Sequence, residues 1–277
     1  MRFSITLFKQ LLFRNKYCRY GKKADKHIVN LEYFDTEPNV GDALSPVIYQ
    51  WMLNRKAIDQ RKPTSKTRHF MAVGSILGGN GFFDATVWGS GIKSFDQISA
   101  LGKRKYFQKL DIRAVRGPLT RDALNGCGYK CPEAFGDPAI LMPLIYTPNV
   151  SVKNGTAVVL HYLQRMQLPQ NFKNINIRTE DYKTFIDELC SCEKVISSSL
   201  HGIILAESYG IPAVFLCEGR NSELFKYYDW YFSTGRKNVR LASTWEEALA
   251  MEPMELPELS LLQRHLIEVF PYDLWET

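Results

Sequence analysis

The stretch from Val195 to Leu216 constrains this chain more than any other. It runs Val195-Ile-Ser-Ser-Ser-Leu-His201-Gly202-Ile-Ile-Leu-Ala-Glu207-Ser-Tyr-Gly-Ile-Pro-Ala-Val-Phe-Leu216. An apolar strand end leads into a turn of small polar residues around one histidine. A helix follows from about Gly202 to Tyr209, then a Gly-Ile-Pro turn into a second apolar strand. A strand-turn-helix-strand unit opens a helix N-terminus onto the carboxyl edge of a parallel sheet, where free N–H groups and the helix dipole favour an anion. His201 then stands at the mouth of an anion site. Local reading leaves a second role open, with Ser197 to Ser199 as an N-cap cluster and His201 as a hydrogen-bonded, packed histidine.

The same alternation of strand and helix fills the rest of the chain. From Lys26 onward a strand at 27 to 34 leads into Asn39-Val-Gly41-Asp42, where a helix begins near Asp42, whose carboxylate can cap it, and Gly41 permits a tight turn. Short apolar strands at 69 to 75 and 86 to 91 each end in Gly/Ser turns that carry Ser75 and Ser90. A strand through Ile112 runs to Arg116 at a turn, followed by a helix started by Pro118. Tyr146-Thr-Pro-Asn reads as an interdomain linker. The second half restarts with a strand at 156 to 162, Asn-Ile-Asn-Ile-Arg178 as another, a helix from about Asp181 to Cys190, and a strand at Lys194 to Ile196. A strand near Val239 to Leu241 and helices at Thr244 to Ala250 and Pro257 to Phe270 complete it. The expected fold class is therefore α/β, with two Rossmann-like, doubly wound domains facing a cleft. The expected boundaries are 27–150 for the first and 151–277 for the second.

A chain of 277 residues with 45% hydrophobic content matches two such domains of roughly 120 residues each. Its net charge of +6 is unevenly placed: residues 1–26 hold eight Lys/Arg against Asp25 alone, so that segment carries +7 and the remainder −1. Phe3, Ile5, Leu7, Phe8, Leu11, Leu12 and Phe13 interleave with those cations. This suits an amphipathic helix at an anionic membrane surface, or one docked on its own domain. No apolar run approaches the roughly 20 residues of a spanning helix, and no clean secretory signal is visible, so a cytoplasmic location, possible at the inner face of the cell membrane, is expected. The six cysteines lack the spacing of a structural zinc site, and no metal is expected. The basic clusters at 55–68 and 103–109 lack interleaved aromatics, which argues against nucleic acid as a partner. The glycines do not complete a dinucleotide fingerprint.

Taken in order, Asn39-Val-Gly41-Asp42, Gly74-Ser75, Val87-Trp-Gly-Ser-Gly91, Val115-Arg116-Gly-Pro-Leu-Thr120, Gly136-Asp137-Pro-Ala and Ser198-Ser-Leu-His-Gly202 through Pro212 resemble the polysaccharide pyruvyl transferase family over about residues 30 to 216. That resemblance implies a fold similar to two-domain GT-B glycosyltransferases, the first domain on the acceptor side, the second on the donor side and the last helix crossing back to the first. It implies transfer of the pyruvyl unit of phosphoenolpyruvate onto two hydroxyls of a glycan or lipid-linked oligosaccharide, with a cyclic ketal formed, phosphate released and no cofactor beyond the donor. His201 resembles the family's general acid and Arg116 its donor-binding arginine, a guanidinium suited to oxyanions. Asp42 is placed either as a base toward the acceptor hydroxyl or as a helix cap. Ser198, Ser199, Leu200 and Gly202, with Asn39, Gly41, Ser75 and Ser90, complete the expected substrate-binding set.

Ser199 stands where many family members have arginine, so one cation is missing: either Arg113, Arg121 or Arg178 compensates, or donor affinity is weaker, or the donor differs. Two other readings remain beside this one. A GT-B glycosyltransferase using a sugar nucleotide would call on Glu207 or Glu218, and a non-catalytic glycan-assembly subunit would keep only the fold.

Overall fold

A computed structural model describes residues 15–61, 68–79, 83–150, 153–164, 166, 172–217 and 223–275. The first half places β1 (Val29–Glu32), α1 (Val40–Asn54), β2 (Arg68–Met71), β3 (Ala85–Trp88), α2 (Asp96–Arg104), β4 (Leu110–Ala114) and α3 (Pro118–Gly126) in chain order. After a 3-10 segment at Pro138–Leu144 come β5 (Thr156–Val159), β6 (Lys173–Asn174), α4 (Tyr182–Cys190), β7 (Lys194–Ser197), α5 (Leu200–Ser208) and β8 (Ala213–Phe215). The chain continues through α6 (Leu224–Ser233), α7 (Trp245–Ala250) and α8 (Ser260–Glu268). The strands form two four-stranded sheets, ordered β1-β2-β3-β4 and β6-β5-β7-β8, with every pairing parallel.

Parallel sheets need helices on their faces, and their strands read as apolar runs. That is the pattern of Ala85-Thr-Val-Trp and Val195-Ile-Ser. One apolar cluster runs through both halves, joining Val29, Leu44, Phe70 and Trp88 to Val195, Ile203, Phe215 and Trp230. Helix α5 lies at its centre and is buried from Leu200 to Glu207, which explains why its sequence shows no polar face. A second cluster, with Val87, Ile112 and Leu124, fills the other side of the first sheet. The C-terminal segment packs on the first sheet: Trp88 Nε1 donates to Leu266 O at 2.8 Å, and Phe270 stands edge-on to Trp88 at 5.0 Å between ring centroids.

Several elements differ from the sequence expectation. Helices α2 and α6 were not visible as periodic patterns. The first carries Gly102 and buries only Leu101, and the second, Leu-Phe-Lys-Tyr-Tyr-Asp-Trp-Tyr-Phe-Ser, is rich in aromatics that favour strands in isolation. Tertiary burial of Tyr227, Asp229, Trp230 and Tyr231 decides its state. The strand expected at Val239 to Leu241 reduces to a single bridge between Leu216 and Ala242. α5 begins at Leu200, two residues earlier than expected, so His201 projects from the first helical turn.

Of the basic segment 1–26, residues 1–14 lie outside the described residues, and with them the proposed membrane contact. The remainder is folded onto the first sheet. Tyr17 bridges Lys23, the Arg19 backbone N–H donates to Glu32 Oε2 at 2.7 Å, and the Arg19 guanidinium bonds Ile76 O. Among the described residues no helix is long and apolar enough to cross a membrane.

Candidate active site

The carboxyl edges of both sheets open on one cleft of about 350 Å³. The turns past five of the strands contribute to its lining, Asn39 and Asp42 after β1, Ser75 after β2, Lys93 after β3, His161 and Tyr162 after β5, and Ser199, Leu200 and His201 after β7, and Lys226 joins them from α6. Ligands of open α/β sheets bind at this edge because the loops there carry side chains and helix N-termini converge on it.

His201 and the Asn-Val-Gly-Asp turn meet in van der Waals contact. A Cβ on Gly41 would lie 1.9 Å from His201 Nδ1, so only glycine admits the imidazole against the first turn of α1. Asn39 is the N-cap of that helix, its side chain accepting from Gly41 N at 3.1 Å. Asp42 is thereby released from the capping role expected of it, and its carboxyl lines the cleft. Burial raises the Asp42 carboxyl from 3.8 to about 6, against the pull of His201 and with Asp137 adding to the rise.

Asp137, from the Gly-Asp-Pro turn, is fully buried. Its Oδ1 accepts from Ala139 N at 3.0 Å and caps the 3-10 segment. Its Oδ2 lies 3.7 Å from His201 Nε2, and neither of these two buried atoms has a hydrogen-bond partner. Two facing polar atoms left open at that distance are well placed to share a proton or an incoming substrate atom.

Three cations surround this centre. Arg19 reaches the cleft from the N-terminal segment, and Lys93 and Lys226 reach it from the other wall. Lys226 is buried and pairs with Glu223 at 2.5 Å, and Lys93 pairs with the same carboxylate at 3.0 Å. Burial lowers Lys226 to about 8 although Glu223 opposes the shift. Burial acts to raise Glu223, but Lys226 and Lys93 outweigh it and hold this carboxylate at about 2. None of Arg19, Lys93, His161, Lys226 and Asp137 was singled out as a site residue by the sequence. Asp137 had a local signal, the Gly-Asp-Pro motif. Lys226 had none, since its helix was itself not visible.

The remaining expected site residues divide sharply. Arg116 does not line the cleft. It is fully buried, with Nε donating to Asp229 Oδ2 at 3.1 Å, Nη1 to Ser75 Oγ at 2.5 Å and Nη2 to Ile92 O at 2.6 Å. Asp229 also accepts from Thr120 N at 2.9 Å and Thr120 Oγ1 at 2.6 Å. Arg116 thus ties α6 to the first sheet and steadies Ser75, and its guanidinium is spent before any substrate arrives. Ser90 is buried and donates to Gly74 O at 2.8 Å. Ser198 is buried and accepts from His161 N at 2.9 Å, fixing the turn that carries His161. Gly202 is a packing position, because a Cβ there would lie 2.4 Å from Ser197 Oγ. Ser199 lines the cleft as the N-cap of α5 without a side-chain capping bond, which leaves its hydroxyl to the cleft wall.

The cations expected to replace the missing arginine do not. Arg113 is held by Asp111 and Asp273, at 2.9 and 2.7 Å, and Arg121 pairs with Asp122 and Glu133. Arg178 lies on a neighbouring cavity. Glu207, offered as a grip for a nucleoside, is buried and engaged by Arg236 at 2.6 and 2.8 Å and by Trp230 Nε1 at 2.9 Å. Glu218 is outside the described residues. One group of metal-ligand atoms exists among the described residues, from Cys18, Glu32 and His69, within 4.8 Å of one another. There Glu32 is already occupied by His69 Nδ1 and Arg19 N, both at 2.7 Å, so the group works as a clasp for the Arg19 segment.

The profile of the polysaccharide pyruvyl transferase family matches residues 13–216 of this chain. Uncharacterized protein L143 of Acanthamoeba polyphaga mimivirus is 25% identical over 203 residues, which cover 68% of this chain and 67% of the viral protein. A functionally uncharacterized protein of Klebsiella pneumoniae subsp. pneumoniae, known from its crystal structure, superposes with a TM-score of 0.49 at 14% identity, covering 86% of this chain and 100% of the other. The profile match extends over well more than half of the chain. The chain belongs to the polysaccharide pyruvyl transferase family.

Proposed function

From that membership, we propose that this protein transfers the pyruvyl unit of phosphoenolpyruvate to two hydroxyls of a glycan, forming a cyclic ketal and releasing phosphate. The observation that carries the reading is an unpartnered His201 Nε2 lying 3.7 Å from the buried Asp137 carboxylate, in a cleft that Asp42, Arg19, Lys93 and Lys226 also line. Phosphoenolpyruvate bears a phosphate and a carboxylate, and a cleft that concentrates three cations suits both. Ser199 supplies a hydrogen bond where the family pattern has charge, and Lys226 supplies the charge from outside the matched region.

In this reading His201 delivers a proton to C3 of the enol, which becomes a methyl group and leaves C2 electrophilic. One acceptor hydroxyl loses its proton to Asp42 and bonds to C2. The second hydroxyl then bonds to C2 as the C2–O bond to phosphate breaks, and its proton leaves with the departing phosphate. Two protons are consumed, at C3 and on phosphate, and two are released by the hydroxyls. Asp137 Oδ2 faces the same imidazole edge at 3.7 Å. A carboxyl near 6 is suited to accept a hydroxyl proton and return it at neutral pH.

The test is phosphate release from phosphoenolpyruvate by the purified protein, with a lipid-linked glycan extract as acceptor. Acceptor-dependent release is expected, and His201→Gln should lower it by ~10²-fold or more with the fold intact. Release at wild-type rates in His201→Gln removes this histidine from the chemistry. No release, with thermal stabilisation by a nucleoside diphosphate instead, overturns the donor.

A further inference from the structure

The Asn-Ile-Asn-Ile-Arg segment has no part in the chemistry above, yet its pattern is clear. Ile175 and Ile177 are 1% and 3% exposed, and Asn174, Asn176 and Arg178 alternate with them on the open side. Such alternation puts one row of polar side chains at about 6.6 Å spacing along an extended chain. That row forms one wall of a second cavity of about 300 Å³, and His161, Tyr162 and Gln164 form the other. His161 and Tyr162 line both this cavity and the catalytic cleft, so the two are joined at those residues.

The chemistry of the lining is specific. Arg178 is fixed at the groove, Nε donating to Tyr162 O at 2.8 Å, and its backbone N–H donates to Asn176 Oδ1 at 3.0 Å. The side-chain oxygen of Gln164 is buried without a partner. An unsatisfied buried amide oxygen costs free energy until a donor reaches it. Tyr162 continues an aromatic row, 5.9 Å from Phe34, which is 6.2 Å from Tyr20, along the rim of the cleft. Amides that donate and accept, an aromatic face and one guanidinium match a sugar chain bearing an anionic group: hydroxyls to the amides, the apolar ring face to tyrosine, the anion to arginine.

We propose that this cavity is an acceptor subsite, holding the glycan units next to the one modified, and that it selects acceptors with a carboxylate or phosphate placed at Arg178. The inference rests on the proposed function in taking the acceptor to be a glycan. It puts the extended acceptor along the second sheet, whereas the family resemblance assigned the acceptor to the first half.

Saturation-transfer NMR and titration with three probes test it: N-acetyllactosamine as a neutral disaccharide, a hyaluronan tetrasaccharide as a uronate, and N-acetylglucosamine 1-phosphate as a sugar phosphate. At least one anionic probe is expected to bind tenfold or more tightly than the neutral one, and the better of the two names the source of the charge. Arg178→Ala should weaken that probe by tenfold or more, and Arg178→Lys should restore part of the loss. Phosphoenolpyruvate binding should be unchanged in both variants. Equal binding of all three probes, no binding of any, or an anionic probe unaffected by Arg178→Ala overturns the subsite. Failure of phosphoenolpyruvate to bind while the anionic glycan still depends on Arg178 refutes the donor and leaves this subsite standing.

Discussion

Replacing Asp42 by asparagine separates what the cleft costs the fold from what it contributes to chemistry. Burial holds the Asp42 carboxyl at about 6 against 3.8 for an unperturbed group. Between those values the folded chain keeps a proton that the unfolded chain has released. Unfolding free energy therefore falls as pH rises through the window from about 4 to about 6, and stays depressed above it. The difference corresponds to at most about 3 kcal/mol. Asparagine has nearly the same shape and no charge to desolvate. Asp42→Asn should thus be more stable than the wild type at pH 7.5, by up to about 3 kcal/mol, a gain that shrinks below about 1 kcal/mol at pH 4. Urea unfolding followed by tryptophan fluorescence at the two pH values measures this, and the midpoint should move without a change in slope. Turnover should fall in the same variant, because in the proposed reaction the carboxylate that strains the fold is the group assigned to accept the hydroxyl proton. A variant less stable than wild type at pH 7.5, or a gain that is the same at both pH values, refutes the argument.

Three other outcomes follow from the geometry. Arg116→Ala should destabilise by about 3–5 kcal/mol, since it strands the buried Asp229 carboxylate; a folded variant of normal stability with weakened phosphoenolpyruvate affinity would return Arg116 to the donor site. Gly41→Ala should abolish turnover, because the new methyl group occupies the place of the His201 ring, and unaltered kinetics would mean that the imidazole works from another position. Lys226 loses its charge above about 8, so the KM for phosphoenolpyruvate should climb from pH 8 upward while Asp42 limits the rate below about 6. In Lys226→Arg the rise above pH 8 should vanish, and its persistence assigns the pH dependence elsewhere.

The sequence disclosed those parts of the fold whose cause is local. Apolar runs broken by Gly/Ser turns gave the parallel strands, and the Asn39 to Asp42 and Ser199 to Gly202 turns announced two helix N-termini. That His201 and Gly41 touch was invisible, because their contact depends on how the two sheets come together over 160 residues of sequence separation. The same applies to Arg116. A guanidinium just past a strand looks like an anion binder, and only the position of Asp229 on α6 reveals that it is already satisfied. Charge counting at the N-terminus could not place Arg19. Arg19 sits within a run of cations suggestive of a membrane face, yet Glu32 and Ile76 draw it into the cleft.

The absence of arginine beside His201 gains a physical explanation from the opposite wall. A guanidinium at position 199 would bring a permanent charge into a cleft that already holds Arg19 and Lys93. Lys226 reaches the same cleft with an ammonium that burial has lowered to about 8 and that Glu223 neutralises while the site is empty. In the proposed reaction a donor phosphate would compete with Glu223 for both Lys226 and Lys93, so the cleft would need no uncompensated buried cation before the substrate arrives. Glu223, held at about 2, stays ionised, and in the proposed reaction it would recover both lysines when phosphate departs. Exchange of one anion for another in this way favours product release. Glu223→Gln should therefore bind inorganic phosphate more tightly and turn over more slowly, read as a lower inhibition constant for phosphate. An inhibition constant equal to that of the wild type would show that the carboxylate takes no part in emptying the site.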